Sequence, residues 1–69
     1  MSDIAITLNG EARSIPDGLD LPALLAHLGL RPETVVVEHN RQIVRRGQLS
    51  GVPVAAGDVI ELVHFVGGG

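Results

Sequence analysis

A single stretch of the chain, residues 21–28, has the apolar spacing of a helix, and the segments around it alternate like β-strands. Its leucines stand at i, i+3, i+4 and i+7 and would form one apolar stripe, made of Leu21, Leu24, Leu25 and Leu28. Asp20 is placed to cap the first turn, and Pro22 is tolerated there because early helical N–H groups lack partners. Gly29 favours a left-handed ending, and Pro32 prevents continuation. The sequence predicts one helix of about ten residues.

Two strands are predicted before this helix. Apolar residues alternate with polar or small ones over residues 3–8, which is typical of a strand with one buried face. Asn9-Gly10 follows and favours a tight hairpin, because both residue types tolerate positive φ. Residues 11–15 then return as a second strand, with Ala12 or Ile15 in the core.

Two adjacent strands are predicted directly after the helix. The β-branched run at 34–38 indicates a strand buried on both faces or nearly so. A turn at 39–41 leads to a short returning strand at 42–44. In the irregular stretch that follows, we expect Leu49 and Val52 to close the open end of the core.

The last predicted strand covers residues 59–66. Its alternation places Ile60 and Leu62 on the face toward the helix. Val63 and Phe65 then lie on the outer face of the sheet, just before the end of the sequence. We interpret this apolar pair as a docking patch for a partner protein. The alternative is that two surface apolar residues need no explanation.

The order β-β-α-β-β-β predicts an α+β fold. A first strand that pairs with both the second and the last strand, with the helix across one face, gives a β-grasp roll. The chain between the first and last strands is long enough for them to lie parallel at the centre of a mixed sheet of four to five strands. We expect one β-grasp domain over residues 1–66 and a flexible glycine tail over residues 67–69.

The composition argues against several classes of function. A net charge of −3 and a single aromatic residue do not favour nucleic-acid binding. The 69 residues contain no cysteine and only three scattered histidines, which provide neither a nucleophile–base pair nor a metal cluster. We therefore expect a carrier that binds no metal or cofactor itself, rather than an enzyme. The absence of a signal-like start and of a membrane-length apolar run predicts a cytoplasmic protein without membrane association.

The sequence ends in Gly67, Gly68 and Gly69. Three extended residues would place the terminal carboxyl about 10 Å beyond the last strand, and glycine leaves it unhindered. We interpret Gly69 as the reacting residue and Gly67 and Gly68 as its means of delivery; a frayed chain end is the alternative. Arg45 and Arg46 are candidates for charged contacts beside the docking patch, with a solvated turn as the alternative.

Segments along the whole chain match a known family pattern, namely residues 6–10, 24–29, 36–40, 42–46, 57–63 and 65–69. Together they resemble the ThiS family, the ubiquitin-like β-grasp sulfur carriers of thiamin biosynthesis. Members of that family often have an Asn-Gly turn followed by Glu where this chain has Asn40, Arg41 and Gln42. The function of that turn therefore cannot be transferred from the family.

The resemblance implies that a partner adenylyltransferase of the E1-like type (ThiF-like) activates Gly69 with ATP. Sulfur would then convert Gly69 to a thiocarboxylate, which would donate sulfur to a thiazole synthase (ThiG-like) for the thiazole ring of thiamin. The ATP would belong to the partner enzyme. Three alternatives remain: the small subunit of molybdopterin synthase, a protein-conjugating modifier, and a β-grasp binding module with an inert tail.

Overall fold

The computed structural model describes residues 2–64, in which five strands and one helix follow the order β-β-α-β-β-β. These elements are β1 (Asp3–Leu8), β2 (Glu11–Pro16), α1 (Leu21–His27), β3 (Val35–His39), β4 (Gln42–Val44) and β5 (Val59–His64). Short 3₁₀ helices occupy Pro32–Thr34 and Arg46–Gln48. Within the described residues, no helix has the length and apolar character needed to cross a membrane.

The five strands form one mixed sheet in the order β2-β1-β5-β3-β4. β1 and β5 run parallel at its centre and pair through Thr7 with Val59 and Leu8 with Ile60. The other neighbouring strands are antiparallel. This arrangement confirms the predicted β-grasp roll, with the last described strand inserted between two hairpins.

The core lies between α1 and one face of the sheet. Its buried members are Ile6, Leu8, Ile15, Leu21, Leu24, Leu25, Val35, Val37, Leu49, Val54, Ile60 and Leu62. Of the two candidates on β2, Ile15 is buried and Ala12 is exposed, because Ile15 pairs with Ile4 on the face toward the helix. Leu49 is buried and Val52 packs against the core, as predicted for the open end of the roll.

Helix α1 has seven residues, which is shorter than the ten or so predicted. The Asp20 side chain accepts a hydrogen bond from the Ala23 N–H at 3.0 Å, so the predicted cap is confirmed. At the other end, Gly29 adopts φ +77° and the Leu30 N–H donates to the Leu25 carbonyl at 2.8 Å. The apolar stripe continues into this terminating turn. A helix length predicted from the stripe is therefore longer than the regular helix.

Two predictions about the later strands need correction. Strand β3 begins at Val35 and not at residue 34, because Pro32–Thr34 forms a 3₁₀ turn. Only one face of β3 is buried, through Val35 and Val37, whereas Val36 on the opposite face is half-buried. No described element covers that outer face of the sheet. The described part of β5 ends at residue 64, and the predicted continuation to residue 66 lies outside the described residues.

Candidate docking surface

Among the described residues, the large apolar side chains that are exposed lie on the outer face of the sheet. Ile43 is 69% exposed, Val63 is 58% exposed and Val59 is 42% exposed. All three belong to the face that points away from α1, because their strand neighbours Val44, Leu62 and Ile60 are the residues that contact the core. The predicted outward orientation of Val63 is confirmed by its exposure.

The strand register places five residues of the outer face in two rows. In one row, Glu38 is paired with Ile43 on one side and with Glu61 on the other. In the next row, Val36 is paired with Val63. We call these five residues, Val36, Glu38, Ile43, Glu61 and Val63, the outer patch. It lies at the end of the sheet where β5 approaches the C-terminal residues.

The two candidate arginines border this patch at the free edge of β4. Both Arg45 and Arg46 are exposed, and they line a cleft of about 300 Å³ together with Val36 and Ile43. The structure therefore places the two arginines beside apolar members of the outer patch. Their contact with a partner remains a prediction. The other site residues predicted from sequence, Phe65 and the glycines of 67–69, lie outside the described residues.

Two asparagines fix the central strand β5 from its two sides. Asn9 and Asn40 each occupy the first position of a two-residue hairpin turn, with φ of +50° and +51°. The Asn9 Oδ1 accepts from the Leu62 N–H at 2.8 Å, and the Asn40 Oδ1 accepts from the Val59 N–H at 2.8 Å. The Asn9 N–H also donates to the Ile60 carbonyl at 2.9 Å, so the backbone and the side chain of Asn9 both hold β5 just beyond the end of β1.

A polar cluster anchors the start of β5. The Asp58 carboxylate lies 2.8 Å from the Nε2 of His39 and accepts from the Ala55 N–H at 2.9 Å and from the Asn40 Nδ2 at 3.2 Å. Partial burial by itself raises the pKa of Asp58, but these hydrogen bonds and the nearby His39 ring outweigh it and hold the pKa below its ordinary value. Among residues 2–64, no three histidine or carboxylate side chains are grouped so that they could hold a metal ion.

Sequence reasoning missed the partners of these side chains. It identified Asn9 and residues 39–41 only as turns, although both asparagines also bond to a strand distant in the chain. It also missed the exposure of Ile43, because a three-residue strand is too short to show a clear alternation. The only available signal was an asparagine in each hairpin turn, which indicates the turn but not what the side chain binds.

The fold and its uncovered outer patch define a β-grasp protein of the ubiquitin-like class. The ThiS family model matches residues 6–69, and the chain belongs to this family. Among solved structures, the chain is similar to the crystal structure of the thiamine biosynthesis protein (ThiS) from Geobacter metallireducens. The TM-score is 0.82 and the identity 30%, over 96% of this chain and 100% of that one. Both findings confirm the family resemblance noted in the sequence.

Curated relatives fall into two kinds. The chain is 46% identical over 46 residues to "Sulfur carrier protein ThiS" of Bacillus subtilis (strain 168), a match that covers 67% of this chain and 70% of that protein. It is 47% identical over 64 residues to "Thiazole synthase" of Magnetococcus marinus and 39% identical over 64 residues to "Thiazole synthase" of Paramagnetospirillum magneticum. Each of these matches covers 93% of this chain, which spans only 20% of the length of either thiazole synthase.

Proposed function

We propose that this protein is a sulfur carrier of thiamin biosynthesis that acts as a substrate of cytoplasmic partner enzymes and not as an enzyme itself. The observation that carries the proposal is the ThiS family match, which includes the terminal glycines within residues 6–69. The name of the Bacillus subtilis relative supports it. The names of the relatives favour the thiamin pathway over molybdopterin synthesis and over protein conjugation.

The proposed chemistry takes place at the carboxylate of Gly69. A carboxylate is a poor electrophile, because its negative charge repels nucleophiles and its oxygen is a poor leaving group. Attack of this carboxylate on the α-phosphorus of ATP, with loss of pyrophosphate, would give an acyl adenylate. A sulfur nucleophile at the oxidation level of sulfide would then attack the acyl carbon and displace AMP, and loss of its proton would leave a thiocarboxylate. Gly67 and Gly68 carry no side chains that would hinder entry of Gly69 into the active site of the partner enzyme.

We propose a thiazole synthase (ThiG-like) as the acceptor of the sulfur. Two longer proteins named thiazole synthase each contain a stretch of 64 residues similar to nearly all of this chain. A carrier-like segment within the same polypeptide as the synthase would keep donor and acceptor at a high effective concentration. These relatives therefore support a functional link between this chain and a separate thiazole synthase.

We propose that the outer patch, together with Phe65, Arg45 and Arg46, docks the E1-like adenylyltransferase (ThiF-like) that activates Gly69. Exposed apolar side chains that cluster on an uncovered sheet face are typical of protein-binding surfaces. Val63 is 58% exposed and lies two residues before Phe65, so a partner bound there would be close to the tail.

Intact-mass spectrometry tests the proposed function. The protein is incubated with the adenylyltransferase, ATP and a sulfide source, and part of the population is expected to gain the mass of one oxygen-to-sulfur exchange at Gly69. A variant that lacks Gly68 and Gly69 is the control and should stay unmodified. Detection of only unmodified protein, or of isopeptide conjugates instead, would contradict the carrier function.

A further inference from the structure

We propose that Glu38 and Glu61 form an acidic pair in the outer patch that binds an arginine or lysine side chain of the activating partner. This inference rests on the proposed function, because it concerns the protein that adenylates Gly69. It assigns the polar half of the docking surface to these two carboxylates. On the partner, apolar side chains would surround this basic group and contact Ile43 and Val63.

The strand register places the two carboxylates directly opposite each other. Glu38 on β3 pairs with Glu61 on the antiparallel strand β5, and both residues belong to the outer face. Side chains in such a pair have Cβ atoms about 4.5–5.5 Å apart, and like charges at this spacing destabilise a sheet. In the free protein, the pair therefore lowers the stability of the pairing between β3 and β5, the two strands that carry it.

Within the described part of the chain, no cationic side chain forms an ion pair with Glu38 or Glu61. Among residues 2–64, which include all five arginines, the ion pair that forms joins His39 and Asp58. Arg45 and Arg46 line the cleft at the β4 edge, and neither one lies within ion-pair distance of Glu38 or Glu61. The negative charge of the pair is consequently available to a cation from outside the chain.

The neighbours of the pair explain why a protein partner fits better than a free ion. Glu38 has Ile43 on its other side, and the next row consists of Val36 and Val63. An apolar partner surface that covers these residues would remove water around the carboxylates and strengthen their attraction to a cation. A guanidinium group with its fork of donors can bind both carboxylates at once. Apolar contact and charge would then act together at one position.

The competing explanation is a solvated sheet face whose glutamates only keep the protein soluble. The two explanations differ in one measurable respect. A docking pair destabilises the fold but strengthens binding of the partner. Its removal should therefore weaken binding while the fold becomes equally or more stable. A merely solvated pair would change stability in the same direction without any effect on the partner.

The experiment measures ATP-dependent pyrophosphate release by the E1-like adenylyltransferase as a function of carrier concentration. The variants are Glu38→Gln, Glu61→Gln and the double variant, with Glu11→Gln as a control that removes the same charge from an exposed position on β2. We expect the KM of the double variant to rise by about tenfold or more, with kcat unchanged and thermal stability equal or higher. Glu11→Gln should behave as wild type, and added salt should raise the KM of wild type more than that of the double variant.

A charge reversal provides a second, independent readout. Glu61→Lys places a cation opposite Glu38, so it should stabilise the fold through a cross-strand ion pair while it raises KM further. A wild-type KM in either Glu61→Lys or the double variant would overturn the inference while leaving the proposed function intact. If wild-type protein is not adenylated at all, the proposed function fails, and this inference fails with it.

Discussion

At the scale of single residues, Asn9 and Asn40 combine two tasks in one side chain each. Their positive φ angles, +50° and +51°, allow the hairpin turns to form. Their Oδ1 atoms then accept hydrogen bonds from Leu62 and Val59 on β5. Leu62 is buried, and a buried N–H without a partner costs about 1–3 kcal/mol. The two asparagines therefore connect the geometry of both turns to the position of the strand that leads to the tail.

Asp58 makes the stability of the fold sensitive to acid. Its pKa is below the ordinary 3.8, because its hydrogen bonds with Ala55, His39 and Asn40 outweigh the effect of burial. The depressed pKa contributes stability that is fully present above the ordinary value and is lost as the pH falls through the folded-state pKa. We expect Asp58→Asn to lower the free energy of unfolding at neutral pH by about 1–2 kcal/mol. The free energy of unfolding of this variant should also decrease less than that of wild type as the pH is lowered.

Urea unfolding over roughly pH 6 to pH 2 measures this contribution. The matched control is Asp3→Asn, since the Asp3 side chain has only a 3.5 Å contact with the Ser14 hydroxyl. The control should follow the wild-type pH dependence. An Asp58→Asn variant with an unchanged acid dependence would show that the cluster at the start of β5 does not stabilise the fold.

At the scale of elements, the two hairpin turns have the same geometry but different residues. Asn9-Gly10 connects β1 to β2 with φ of +50° and +82°, and Asn40-Arg41 connects β3 to β4 with φ of +51° and +71°. Glycine adopts such angles without steric cost, whereas a side chain at positive φ costs roughly 1–2 kcal/mol. The second turn is consequently the more strained of the two.

Arg41→Gly should stabilise the protein. Relief of the left-handed strain outweighs the extra entropy of glycine in the unfolded chain, so we expect the free energy of unfolding to rise by about 0.5–1 kcal/mol. The reciprocal variant, Gly10→Ala, should destabilise by about 1 kcal/mol, because a Cβ at that position meets nothing within 4 Å and only the φ angle opposes it. Thermal unfolding measures both changes. A destabilised Arg41→Gly variant would mean that the arginine side chain makes a contact that matters more than its backbone strain.

The elements that could be predicted from the sequence are those whose buried face shows as a regular spacing of apolar residues. The alternation of β1 and the leucine spacing of α1 reflect the face that each element buries, and both predictions are confirmed. The end of α1 and the one-sided burial of β3 depend on what packs against them, which no local pattern encodes. The bond from Leu62 to Asn9 joins residues 53 positions apart, so only the folded chain reveals it. For the candidate site, sequence predicted the exposure of Val63 but not the Glu38–Glu61 pair, whose register is a property of the sheet.

At the scale of the whole molecule, the sheet has one face against the helix and one face that no described element covers. The exposed side chains of Ile43 and Val63 on this outer face are large and apolar. Apolar side chains on an uncovered face contribute little to stability, because they stay in contact with water in the folded state. We therefore expect Ile43 and Val63 to function in contacts with other proteins.

Val63→Asp should weaken binding of the adenylyltransferase by about tenfold or more, because it places a charge in the apolar part of the outer patch. The fold should persist, since Val63 is 58% exposed. Phe65→Asp is expected to weaken binding in the same way. Val59→Asp is the matched control, as Val59 lies on the same face of the same strand but at its opposite end. Calorimetric titration, together with thermal unfolding of each variant, measures the effects; normal binding by folded Val63→Asp would remove Val63 from the docking surface.

The central position of β5 also determines when the fold can form. The β1–β2 and β3–β4 hairpins share no strand pairing, and only β5 joins them into one sheet. Its parallel pairing brings Thr7 and Leu8 against Val59 and Ile60, contacts that close a loop of nearly the whole described chain. Contacts so distant in sequence slow folding. During synthesis, both hairpins would leave the ribosome before the strand that unites them, so the nascent chain should remain open to proteases until residue 64 has emerged.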